Sequence, residues 1–320
     1  MRLVNREEYS DFLEHQDRVL IEETEVQLAR RWKLDSFAPP ASYRPEVSTV
    51  WSFPDRGDWA THKGNYRGNW SPYIPRNLIL RYSAPGEVVL DQMVGSGTTL
   101  VECKLLGRNG IGVDVNHDAL MVAHNRIDFS HSTLDLDYKP PSIRLYWGDA
   151  RNLDRVDDET IDLVATHPPY AGIIKYTGKR VPDDLSTLKL EPYLDAMRLV
   201  ARESFRILKP GKHCAVLIGD TRQHKHYVSI SSRVMQQFLD EGFVLREDII
   251  KLQHKMKTTR EKWRGSKYDF YLIAHEHLFV FRKPNSGESP SAYKNSVKWW
   301  SEIVPPTRKA TRRTRTSPQR

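Results

Sequence analysis

The spacing of apolar residues along the chain changes character twice. Across residues 5–33, Tyr9, Phe12, Leu13, Val19, Leu20 and Leu28 recur amid charges at intervals that can share one helical face. Residues 34–75 lose that period, and their prolines, glycines and three tryptophans predict an irregular wrapping segment. From residue 87 onward, short apolar runs alternate with longer amphipathic stretches, and no internal repeat is present.

That alternation predicts strands over 87–91, 110–115, 143–149, 160–167, 213–220, 243–252 and 275–283. Helices are predicted over 98–107, 117–127, 191–211 and 228–242, the third stopped by Pro210-Gly211. The early strands are short and apolar throughout, as central parallel strands covered on both faces must be. The pattern describes an α/β fold, a doubly wound, mostly parallel seven-stranded sheet with a helical and irregular N-terminal arm. In such sheets ligands bind beyond the carboxyl ends of the strands, where the strand order reverses.

Composition adds a few exclusions. At 320 residues and 39% hydrophobic content the chain can fill a large core. No apolar run approaches the ~20 residues of a membrane span, and the charged N-terminus has no secretory pattern. Cys103 and Cys214 give no disulfide framework, so a reduced cytoplasm is the expected setting. Of the net charge of +8, six positive charges fall in the last 16 residues, Arg308 to Arg320, without an acid. A tail of this kind is expected to be disordered and drawn to phosphate backbones by counterion release.

The strand ends carry the chemistry. After the first strand comes Asp91-Gln92-Met93-Val94-Gly95-Ser96-Gly97-Thr98-Thr99, where glycines let the backbone turn tightly and approach a ligand. No Lys-Ser/Thr pair follows the second glycine, which excludes a Walker-type phosphate loop. Asp114 ends the second strand and suits the two hydroxyls of a ribose. Asp149 ends the third and suits an adenine amine or a helix cap. The fourth strand ends in Thr166-His167-Pro168-Pro169-Tyr170. There the prolines remove amide donors and leave carbonyls free to accept. Acceptors beside the Tyr170 ring suit a planar base bearing an exocyclic amine, presented outside its helix.

In this order, DQMVGSGTT, GVDVN, GDA and THPPY resemble the motifs of the amino-group DNA methyltransferases, which methylate adenine N6 or cytosine N4 with S-adenosyl-L-methionine. The likeness runs from Asn65, through a segment similar to the family's helix at the methionine end of the cofactor, to residue 283. It implies a class I, Rossmann-like methyltransferase domain over 61–285, between an arm at 1–60 and the basic tail at 286–320. It further implies that Asp91, Met93, Gly95, Gly97, Thr98, Thr99, Asp114, Asp149 and Pro75 bind the cofactor. His167, Pro168, Pro169 and Tyr170 would hold the target base. Double-stranded DNA is the expected partner, with no metal or membrane and with a cognate restriction enzyme a further candidate. The setting implied is the cytoplasm of a prokaryote or phage host, in association with the nucleoid.

The chain departs from that pattern at two places. Gln92 and Met93 stand where the family has Pro-Phe, so aromatic packing on the cofactor is lost or comes from another residue. His167 stands where the family has Asp, Asn or Ser, and a neutral imidazole can accept a hydrogen bond there. Lys175, Lys179 and Arg180 after the corner are expected to contact DNA. So are Lys255, Lys257, Arg260, Lys262, Trp263 and Arg264, in a basic segment interleaved with aromatics. Two alternatives stay open, an RNA amino-methyltransferase and a binding protein that kept the fold without turnover. Adenine and cytosine are equally open as targets.

Overall fold

Arg2–Val4 (β1) joins the main sheet before any helix begins, pairing antiparallel with Ile143–Trp147 of a later strand. The computed structural model describes residues 1–21, 24–66, 68–130, 140–170, 181, 184–264 and 268–297. Helix α1 (Arg6–His15) starts where the Asn5 side chain accepts the Glu8 amide at 2.9 Å, satisfying an otherwise unpaired helix donor. It is followed by a hairpin, Arg18–Ile21 (β2) with Thr24–Gln27 (β3), and not by the longer helix that the spacing predicts. The β-branched Val19, Ile21 and Val26 alternate into the core while Leu20 is 53% exposed, a period of two that wins over the helical one.

Val50–Ser52 (β4) and Tyr73–Tyr82 (α2) precede the alternating units. These are Val88–Asp91 (β5), Thr98–Leu105 (α3), Asn109–Asp114 (β6), His117–Ile127 (α4), Ile143–Trp147 (β7) and Ile161–Thr166 (β8). Then come Leu190–Ile207 (α5), Leu208–Ile218 (β9), a small hairpin of Thr221–Gln223 (β10) and His226–Val228 (β11), and Ile230–Asp240 (α6). Val244–Leu252 (β12), Lys257–Arg264 (α7) and His275–Arg282 (β13) complete the order. Pro210-Gly211 lies inside β9 and does not stop α5, which ends three residues earlier at Ile207.

The main sheet has nine strands, in the order β1-β7-β6-β5-β8-β9-β13-β12-β4. All seven predicted strands are present, and the N-terminal arm adds a three-residue strand at each edge. Such strands are too short to leave a readable alternation, and short edges limit stray pairing. From β7 to β9 neighbouring strands run parallel, and β13 is antiparallel to both its neighbours. Along β9, Cys214, Val216 and Ile218 point into the core under α5 and α6, while Ala215 and Leu217 point into the core with α2. Both cysteines are free and buried. Among the described residues, no helix is long and apolar enough to cross a membrane.

Candidate active site

β5 has β6 on one side and β8 on the other, so the chain leaves it in both directions and a crevice opens beyond the strand ends. A cleft with about 780 Å³ of empty space, its mouth included, occupies that place. One wall is the turn after β5, with Asp91, Met93, Gly95 and Thr98, and the end of β6, with Asp114. Another is His167 and Pro169 after β8. Tyr66, Asn69 and Trp70, from the wrapping segment before α2, form a third.

The glycine turn is held by acids. The Gly95 amide donates to one Asp114 oxygen at 2.8 Å, and the Asn116 amide donates to the other at 2.9 Å. Burial pushes the Asp114 carboxyl up to about 6, against these amides. Asp91 accepts the Thr99 hydroxyl at 2.5 Å and the Met93 amide at 3.2 Å, and burial raises it to about 7. Gly97 caps α3 with φ +82°, and a Cβ there would lie 3.1 Å from Ala123, so both conformation and space require glycine. Gln92 is buried and donates to Ser204 on α5 at 3.0 Å. Tyr66 brings an aromatic ring to the cleft beside this turn, where a Cβ on Gly95 would lie 3.3 Å from it.

The corner after β8 is a chain of polar contacts. His167 Nε2 is 2.9 Å from the Tyr170 hydroxyl, which donates to Glu276 Oε1 at 2.6 Å. Lys251 Nζ donates to the other Glu276 oxygen at 2.7 Å. The His167 ring is stacked on Trp70 with centroids 5.9 Å apart. Burial lowers its pKa to about 4; Glu276 and the Gly68 backbone favour the cation, and Lys251 opposes it. Burial also works to raise Glu276, but the Lys251 ammonium beside it and the Tyr170 hydrogen bond hold the group as a carboxylate.

Of the residues named from the sequence, Asp91, Met93, Gly95, Thr98, Asp114, His167 and Pro169 come together around one cleft. Thr99 and Tyr170 stand behind it, tied to Asp91 and His167. Gly97 and Pro168 are not on its lining. Pro75 is buried within α2, and Asp149 is likewise absent from the lining: its carboxylate holds Arg151 at 2.5 Å. Asp149 also accepts the Arg151 amide at 2.8 Å, but no helix follows it before β8, so it holds its own turn and is not the helix cap the sequence allowed for. Lys175, Lys179 and Arg180 lie outside the described residues. α7 carries Lys257, Arg260, Lys262, Trp263 and Arg264 on the connection between β12 and β13, just after the exposed Lys255. Arg260, Lys262 and Arg264 are exposed there. Trp263 packs on Tyr268 and Phe270, at centroid distances of 4.5 and 5.7 Å, while Tyr271 is 91% exposed. Sequence reasoning missed Tyr66, Asn69, Trp70, Lys251 and Glu276. For Glu276 the only signal was an acid between two histidines, ahead of the apolar run 278–281 of the same strand.

An open, mostly parallel sheet with a glycine turn and an acid at successive strand ends is the architecture of the class I methyltransferases. The family model described as DNA methylase matches residues 10–125 and 161–317, and the chain belongs to that family, whose cofactor is S-adenosylmethionine. The residues present fit this group. Asp114 offers a carboxylate to a ribose, and the buried Thr98 hydroxyl has no hydrogen-bond partner among the described residues. Arg126 is a buried cation with no acid within ion-pair distance among them; it donates to Ser96 at 2.8 Å and Asn65 at 2.7 Å. Arg126 itself does not line the cleft; it lies behind Ser96, which does.

The chain is 43% identical over 119 residues to the Type II methyltransferase M.HpaI of Haemophilus parainfluenzae, covering 32% of this chain and 36% of that enzyme. It is 27% identical over 194 residues to a tRNA (guanine(10)-N2)-dimethyltransferase of Methanothermobacter thermautotrophicus, covering 60% and 48%. The chain thus spans less than half the length of each. A solved SAM-dependent methyltransferase of Methanosarcina mazei aligns at a TM-score of 0.44 and 14% identity, over 65% of this chain and 97% of its own.

Proposed function

We propose that the protein is a DNA methyltransferase acting on an exocyclic amine, cytosine N4 or adenine N6, of a base flipped out of the duplex. The observation that carries this reading is the single cleft lined both by the glycine turn with Asp114 and by His167 and Pro169 of the Pro-Pro corner. When bound, S-adenosylmethionine supplies an electrophilic methyl group, and the bonding pair of its C–S bond stays on sulfur.

The task of the chain's own residues is to make a poor nucleophile attack. The amine lone pair is delocalised into the base, and hydrogen bonds accepted from its protons favour the pyramidal, nucleophilic form. The Pro168 carbonyl is one acceptor in this reading, and the neutral imidazole of His167 is the other. Because burial keeps that imidazole neutral down to about pH 4, the acceptor persists well below the usual histidine range. Asp114 holds the ribose, and Lys255, Arg260, Lys262 and Arg264 contact the phosphate backbone.

The matching length in a tRNA guanine methyltransferase supports a second reading, an RNA amine as the target. Transfer of labelled methyl from the cofactor to plasmid DNA and to total RNA separates them. Incorporation into DNA alone is expected, incorporation into RNA alone would replace the first reading with the second, and cofactor binding without transfer to either would leave a binding protein.

A further inference from the structure

Two residues outside every motif reach the corner after β8. Lys251 and Glu276 face each other as register partners on β12 and β13, near the connection that carries α7. Glu276 is buried and charged, and its Oε1 accepts the Tyr170 hydroxyl at 2.6 Å. A phenol has one proton to give. With that proton on Glu276, the Tyr170 oxygen can only accept from His167, so the partner at 2.9 Å must be Nε2–H. A neutral imidazole with its proton on Nε2 has its lone pair on Nδ1.

We propose that Glu276 is a positioning residue that fixes the tautomer of His167 through Tyr170, making Nδ1 the acceptor for the target amine. The inference rests on the reading of this cleft as an amino-methyltransferase site. Lys251 has a supporting part, since it occupies the other Glu276 oxygen and keeps the group ionised. Among the described residues, the charged and titratable groups facing His167 are therefore Tyr170, Glu276 and Lys251. Trp70 covers one face of the ring.

Glu276→Gln keeps the shape and removes the charge. Its amide can donate to Tyr170, which turns the phenol proton towards Nε2 and moves the imidazole proton to Nδ1. Nitrogen NMR of histidine-labelled protein, with the signal assigned by its loss in His167→Asn, reads the tautomer without any turnover. The expected result is Nε2–H in the wild type and Nδ1–H in Glu276→Gln. With it, kcat should fall by about 10²-fold while the affinity for S-adenosylmethionine changes less than about twofold. Tyr170→Phe, which cuts the chain of contacts elsewhere, should also abolish the single tautomer and serves if Glu276→Gln does not fold. A wild-type proton on Nδ1, given to the Gly68 backbone, or a tautomer indifferent to both substitutions would overturn the proposal. Failure of the functional reading looks different: a Glu276-dependent tautomer in a protein that methylates no nucleic acid overturns the amine as the target of Nδ1.

Discussion

The two walls of the cleft are built in contrasting ways. The glycine-turn wall comes from consecutive pieces of chain: β5, its turn and β6 place Asp91, Gly95 and Asp114 within 24 residues, and they are bonded through backbone amides. The Pro-Pro wall is assembled from afar, because His167 is stacked by Trp70 and Tyr170 is held by Glu276, 106 residues away. A locally encoded wall suits a ligand that does not vary, whereas a wall gathered from several elements can be retuned to a target by changing the distant supports. Substitutions on the two walls should therefore separate, one set affecting cofactor binding and the other affecting transfer.

The largest separation is expected at His167. His167→Ala should lower kcat by about 10²–10³-fold, as for the loss of one preorganised polar contact to a reacting group. Its affinity for S-adenosylmethionine, read by calorimetry, should stay within about threefold. With saturating cofactor, the acid limb of the wild-type kcat should centre near the His167 value of about 4. The sign follows from the acceptor role: above that pH the ring is neutral and accepts, and below it the ring is a cation and only donates. A limb near the ordinary histidine value would separate the burial of His167 from its role.

On the other wall, Asp114→Ala should weaken cofactor binding by about 10²-fold, the loss of hydrogen bonds to a charged group worth about 1.5–3 kcal/mol each. In the wild type, affinity should decline as pH falls through about 6, where Asp114 takes up a proton and loses one acceptor site. Asp114→Asn should bind weakly and show no such dependence. A pH-independent wild-type affinity would take the ribose away from Asp114.

The sequence displayed these two walls unequally, for a physical reason. Strands buried on both faces must be apolar, and turns that approach a ligand must use glycine, so β5, β6, β8 and the turn between them left local marks. The edge strands Arg2–Val4 and Val50–Ser52 are too short to show a period. The β2–β3 hairpin was hidden because Val19, Leu20 and Leu28 satisfy a helical spacing by accident. Trp70, Lys251 and Glu276 act only through tertiary contact, which no local pattern reports. Asp149 shows the opposite failure, a motif position whose side chain serves its own turn by binding Arg151.

Smaller effects refine the picture outside the cleft. Neutralising Lys255, Arg260 and Arg264 together should make the dependence of log affinity for DNA on log salt shallower by about 2–3 units, at roughly 0.9 for each phosphate no longer neutralised. An unchanged slope would remove the α7 connection from the DNA interface. Asn5→Ala should cost about 1 kcal/mol of stability through the missing helix cap, seen as a lower melting temperature, and leave methyl transfer unchanged.

Both walls serve one reaction on a base amine in this reading, and nucleoside mass spectrometry can examine that directly. Plasmid DNA is incubated with the protein and with cofactor carrying a deuterated methyl group. Deuterated N4-methylcytosine or N6-methyladenine is predicted with the wild type, and at least a hundredfold less with His167→Ala at equal cofactor occupancy. Label on a ring carbon, or undiminished label in His167→Ala, would contradict it.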